Sequence, residues 1–174
     1  MNRRHFLVGA GCVGAATLSG CLGAVDSLLE SDPEVDHRDP SSVPRPPSWM
    51  HSEGLDGNVT ASSAVQFGSI PDTHWLYLTA SPMDPLETQV TVQRQGADPF
   101  YEETVSLSRA SYVAFGFGQP STYVIELSVA DETAMVEVPE DFVDCNDSAQ
   151  LVVLKSDRMV NTSSQTTLAQ CGPL

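Results

Sequence analysis

Between Asn58 and Val138 the apolar side chains recur at every second position, a period that suits strands and cannot build the stripe of a helix. Val59, Ala61, Val65 and Phe67 alternate with Thr60, Ser62, Ala64 and Gln66. After a break at Gly68 to Asp72 the run Trp75 to Thr79 follows, and Pro82, Asp84 and Pro85 break the chain again. Val90 and Val92 come next, then Tyr101, Val105 and Leu107, and then Val113, Phe115 and Phe117. Tyr123, Ile125, Leu127 and Val129 lead through Asp131-Glu132 to Val136 and Val138. Alternation of this kind sends one set of side chains into a core and the other into water. Turn residues return about every 10–12 positions, which predicts an all-β sandwich or barrel.

The stretch Thr122-Tyr123-Val124-Ile125-Glu126-Leu127-Ser128-Val129-Ala130-Asp131 resembles a late strand of immunoglobulin-like and PKD-like domains. The resemblance implies an immunoglobulin-like antiparallel β-sandwich over residues 54–174. It implies a corner-packing role for Tyr123 and makes Trp75 the buried aromatic of an earlier strand. Neither matching strand holds a cysteine, so the inter-sheet disulfide of antibody domains is absent.

The first 23 residues carry a different signal. Arg3 and Arg4 precede an apolar run from Phe6 to about Leu18, and small residues follow. This is the layout of a secretory signal. A run of about 13 residues makes a helix near 20 Å, short of a bilayer core of about 30 Å. The paired arginines before Phe6-Leu7 resemble a twin-arginine export signal. Leu18-Ser19-Gly20-Cys21 resembles the lipobox of secreted lipoproteins, which implies removal of residues 1–20 and lipid on Cys21. Cys12 makes a poorer box, because Gly9-Ala10-Gly11 lacks the large apolar residue.

Near the C-terminus, Leu151 to Leu154 form an apolar run suited to a strand buried on both faces. Lys155 to Arg158 reads as a turn and Met159 to Leu168 as the return strand. Folding these arms together brings Cys145 and Cys171 to one end, so a Cys145–Cys171 disulfide clipping the hairpin 145–171 is expected of an exported chain.

The chain holds 8 basic and 23 acidic residues; loss of Arg3 and Arg4 with the leader leaves 6 against 23, a net charge near −17. Such an excess excludes nucleic acid, whose phosphates need clustered Lys and Arg. It also opposes adhesion to anionic headgroups. Strong acidity, the single lysine Lys155, the arginine pair and the lipobox together resemble the cell-surface lipoproteins of halophilic archaea. That resemblance implies an address, the outer face of the cell membrane through a lipid anchor, and no activity. Residues 21–53, with Asp32-Pro33, Asp39-Pro40 and Pro44-Arg45-Pro46-Pro47, read as a disordered, lipid-anchored linker.

Little points to chemistry. A blue-copper site needs two His, a Cys thiolate and usually a Met; no His follows Cys145 or Cys171, and His37, His51 and His74 read as surface or boundary residues. Glu140, Asp141, Asp144 and Asp147 crowd one loop, which suits a solvated acidic turn better than calcium. No Gly-x-Ser-x-Gly elbow occurs, and Glu102 and Glu103 belong to opposite faces of a strand. Sequons stand at Asn58, Asn146 and Asn161. The expectation is a non-enzymatic module without cofactor, structural or interacting, whose partner is an envelope protein or a polysaccharide met by loops at one end of the sandwich. The alternative is an accessory solute- or metal-binding lipoprotein serving a membrane complex, which a concave pocket with converging polar groups would favour.

Overall fold

The computed structural model describes residues 31–68, 73–143, 148–157 and 160–166. These hold the strands β1 (Val35–His37), β2 (Thr60–Phe67), β3 (His74–Ala80), β4 (Leu86–Arg94) and β5 (Pro99–Leu107). They continue with β6 (Ser111–Phe117), β7 (Tyr123–Val129), β8 (Glu132–Val138), β9 (Ser148–Leu154) and β10 (Val160–Thr166). Six strands form one sheet in the order β1-β2-β6-β3-β9-β10, and four form the other in the order β5-β4-β7-β8. The pairs β2/β6 and β3/β9 are parallel and every other described pair is antiparallel. The chain is thus an all-β sandwich, as the period of two requires. Among the described residues no helix is long and apolar enough to cross a membrane.

The inward positions of both sheets make the main core. Val90, Val92, Ile125, Leu127, Val136 and Val138 come from the four-stranded sheet, and Leu76, Leu78, Phe115 and Val152 from the other. One end is aromatic: Phe67 packs edge-on to Phe100 and Tyr101, and Phe117 lies 4.8 Å from Tyr123 between ring centroids. Tyr123 donates its hydroxyl proton to the Gln119 carbonyl at 2.7 Å, four residues upstream, which is the corner role the resemblance implied. A gap bounded by Leu76, Leu78, Ile125, Leu127, Val136 and Val152 has no room for a water molecule.

The six-stranded sheet is buried on its outer face as well. Tyr77, Tyr112, Ala114, Leu151 and Val153 project there into a second core, closed by Val43, Met50 and Leu55. The expectation of a disordered linker over 21–53 is therefore corrected for residues 32–53, which belong to the same compact unit as the sandwich. The prolines do exclude long helix and inner strand, but they leave short 3-10 turns at Pro40–Ser42 and Ser48–His51 and an edge strand, β1. Residues 40–59 form a strap across the outer face. Met50 is its key, with 0 % of its surface exposed. The Tyr77 hydroxyl donates to the Pro44 carbonyl at 3.0 Å, and Ser163 on β10 donates to the Glu53 carboxylate at 3.0 Å.

Three further expectations change. Trp75 is only half-buried and lies on the outer face, its ring about 3.0 Å from where a Cβ on Gly116 would stand; the buried aromatic of β3 is Tyr77. In β2 the alternation slips at a bulge between Ala61 and Ser63, so Ala61 packs on the outer core while Val65 and Phe67 face the inner one. His74, expected at the surface, is 1 % exposed. The C-terminal hairpin is present as β9 and β10, in register from Leu154↔Val160 to Ser148↔Thr166. All four residues from Leu151 to Leu154 are buried, as a strand covered on both faces should be.

Candidate functional site

The strap leaves a groove of about 810 Å³ between itself and the starts of β2 and β6. Val43, Pro46, Val59 and Ala61 form apolar walls. Asp39, Arg45, His51 and Tyr112 bring polar atoms to it. Its size is that of a small-molecule site, and it lies along the strap instead of among loops at the sandwich end.

Arg45 is held from both sides. Its predecessor Pro44 is pinned through its carbonyl to Tyr77, and Pro46-Pro47 follow. Prolines fix their own φ and bar the preceding residue from the helical region, so the backbone at Arg45 has little freedom. The side chain is exposed, and no carboxylate of the described residues lies within ion-pair distance of it. Two other described arginines do have such partners: Arg38 meets Asp36 at 3.2 Å and Arg109 meets Asp56 at 3.8 Å.

Beneath Arg45 the Tyr112 ring is buried against Tyr77, with centroids 5.5 Å apart. Burial raises the Tyr112 phenol above its ordinary value, and the charge of Arg45, which lines the same groove, opposes that rise. The Tyr112 hydroxyl has no hydrogen bond to a described residue and is not itself enclosed, so it opens on the groove. His51 lies 3.2 Å through Nδ1 from the Leu55 carbonyl. A carbonyl only accepts, so Nδ1 donates to it. Asp39 accepts through Oδ1 from both the Ser41 hydroxyl at 2.7 Å and the Ser41 amide at 2.8 Å, which hold its carboxyl below the usual range.

A second polar group sits inside, at the seam of β3 and β9. His74 Nδ1 is 2.7 Å from Ser148 Oγ, and Ser148 Oγ donates to the Phe142 carbonyl at 2.6 Å. The single hydroxyl proton goes to the carbonyl, so His74 donates from Nδ1. The serine is thus fixed as a relay between β3 and the turn Glu140–Phe142; it is buried and not deprotonated by its histidine. Burial lowers the His74 pKa to about 4, partly offset by Gln150, whose Nε2 is bonded to the Glu137 carbonyl. His74 Nε2 and Gln150 Oε1 are both buried without a hydrogen bond.

The other predicted residues are dispersed. Arg3, Arg4, Cys12, Cys21, Cys145, Asn146 and Cys171 lie outside the described residues, and so do Asp144 and Asp147 of the acidic loop. Glu140 and Asp141 border a shallow hollow of about 600 Å³ with Pro120 and Thr122. Among the described residues no three His, Cys, Asp or Glu side chains gather as a metal site needs. Asn58 and Asn161 are both exposed, the first before β2 and the second on β10. No protein-family model matches the chain, and no curated protein matches it.

Proposed function

We propose that the chain is an exported lipoprotein, held at the extracellular face of the cell membrane by lipid on Cys21, whose sandwich acts as a structural or interaction module of the envelope. One observation carries the second half of this reading. The gap between the sheets bounded by Leu76, Leu78, Ile125, Leu127, Val136 and Val152 has no room for a ligand, while the groove under the strap opens on the outside. A body built this way works through its surface. The first half rests on Arg3, Arg4 and the box Leu18 to Cys21. One lipid chain holds a protein only marginally, so a two-chain lipid is the expected modification.

The test is intact-mass analysis and fractionation of the native protein. Wild type is expected in the membrane fraction, beginning at a lipid-bearing Cys21, and Cys21→Ser in the medium. An uncut leader, or equal membrane retention of Cys21→Ser, overturns the anchor.

The accessory solute-binding reading is favoured by one observation, the groove under the strap. It keeps the same anchor and differs in taking a free small ligand in place of a neighbour in the envelope.

A further inference from the structure

The groove's chemistry can be taken one step further. Among the described residues Arg45 has no carboxylate within ion-pair distance, although the chain holds 23 acidic residues against 8 basic ones. Arg45 is exposed, set between prolines and pinned through Pro44 to Tyr77. A planar fork of N–H donors held on a fixed backbone matches a carboxylate, and little order has to be imposed when one arrives. Around it the hydroxyl-bearing side chains of Tyr112, Thr60 and Ser41 and the His51 ring line the same groove. Those groups suit hydroxyl groups on the same ligand. The apolar walls are Val43, Pro46, Val59 and Ala61, shallow surfaces that suit the faces of a ring better than a long apolar side chain.

We propose that the strap groove is a binding site for a hydroxylated carboxylate, either a free sugar acid or the same unit within an acidic polysaccharide. Arg45 takes the carboxylate, Tyr112 Oη and the His51 ring hydrogen-bond hydroxyls, and the groove walls cover the ring. Asp39 lines the same groove but stands beyond ion-pair distance of Arg45, so it leaves the guanidinium to the ligand. The protein's overall negative charge opposes an acidic ligand, but salt screens that field over about 8 Å at 0.15 M and about 3 Å at 1 M, while direct contact with Arg45 persists. The inference rests on the reading of the domain as an interaction module and names what it engages.

The experiment is calorimetric titration of the full chain with tri-galacturonate, with its fully methyl-esterified form, and with monomeric galacturonate, at both salt concentrations. The acid trimer or monomer is expected to bind, the ester to bind on the order of tenfold more weakly or worse, and Arg45→Gln to lose on the order of tenfold. Tyr112→Phe keeps the ring and the fold and is expected to weaken binding several-fold. Thermal melts show whether either variant has disturbed the sandwich. Tighter binding of the trimer identifies the polysaccharide as the source, and equal binding the free sugar acid. The proposal is overturned if neither acid form gives heat, if the ester binds as well as the acid, or if folded Arg45→Gln matches wild type. Any of these losses leaves lipid and membrane retention untouched, so it is separable from a failure of the anchor.

Discussion

The two outer faces of this sandwich were treated oppositely. The face of the six-stranded sheet carries Tyr77, Tyr112, Ala114, Leu151 and Val153 and is sealed by the strap. The face of the four-stranded sheet carries Glu87, Gln89, Thr91, Glu102, Glu126 and Thr133 and lies open. Its largest apolar side chain is Met135, 71 % exposed and opposite Glu126. Both sheets feed the same inner core, so the difference lies wholly in the outward residues and in what the sequence places over them. A sheet face stays open when its outward positions are polar, and needs a third layer when they are not.

That contrast can be broken most severely at Met50. Met50→Ala removes the strap's buried key and is expected to cost between about 2 and 5 kcal/mol in chemical denaturation. If the strap were a passive tail, the loss would be near zero. Next in size is a dependence on pH. β9 brings Leu151 and Val153 to the sealed face, so what fastens β9 to β3 belongs to the same comparison. His74 at that seam has its pKa lowered to about 4 from an ordinary 6.5. The unfolded chain therefore binds the proton first, and stability falls as pH drops from about 6.5 toward 4, then levels off. The full span corresponds to about 3 kcal/mol. Carboxylates also titrate near its lower end, so the measurable quantity is the difference between wild type and His74→Gln, whose profile should be flatter between pH 6.5 and 5.

Smaller effects sharpen the contrast. Tyr77→Phe leaves the ring in place and deletes the hydrogen bond to Pro44, an expected loss of about 1 kcal/mol, with faster amide exchange at strap residues 43–55 and not on the open face. On that open face, Glu126→Gln should change stability by less than about 0.5 kcal/mol. A loss of several times that would mean the open face is fastened in a way its polar residues do not reveal.

The alternation over 58–138 is enough to read the sandwich, because β7 of the open sheet obeys it without interruption: Tyr123, Ile125, Leu127 and Val129 inward, Val124, Glu126 and Ser128 outward. It failed where a sheet is buried on both faces. In β3 and β9 consecutive residues are apolar, and the spacing carries no instruction about which face each takes; Trp75 was misjudged for that reason. Proline hid the strap. Pro44 to Pro47 rule out regular structure, and a segment without regular structure can still be fastened by one methionine and one accepted hydrogen bond. The groove was legible only as a hint, an arginine bracketed by prolines in a chain poor in cations. His74 gave no hint, since its partners Ser148 and Phe142 lie about 70 residues downstream.

The order of residues along the strap and beneath it has a consequence for how the molecule is made. The strap leaves the ribosome early, at residues 40–59, while Leu151 and Val153, part of the surface it covers, leave near the end. Contacts across some hundred residues form late and slowly. Until β9 has slotted beside β3, Met50 and Leu55 have only part of their bed and stay wet. Completion of the last hairpin is then the event that locks the strap down, and a chain stopped short of residue 148 would carry its own cover with Leu151 and Val153 missing from the surface beneath it.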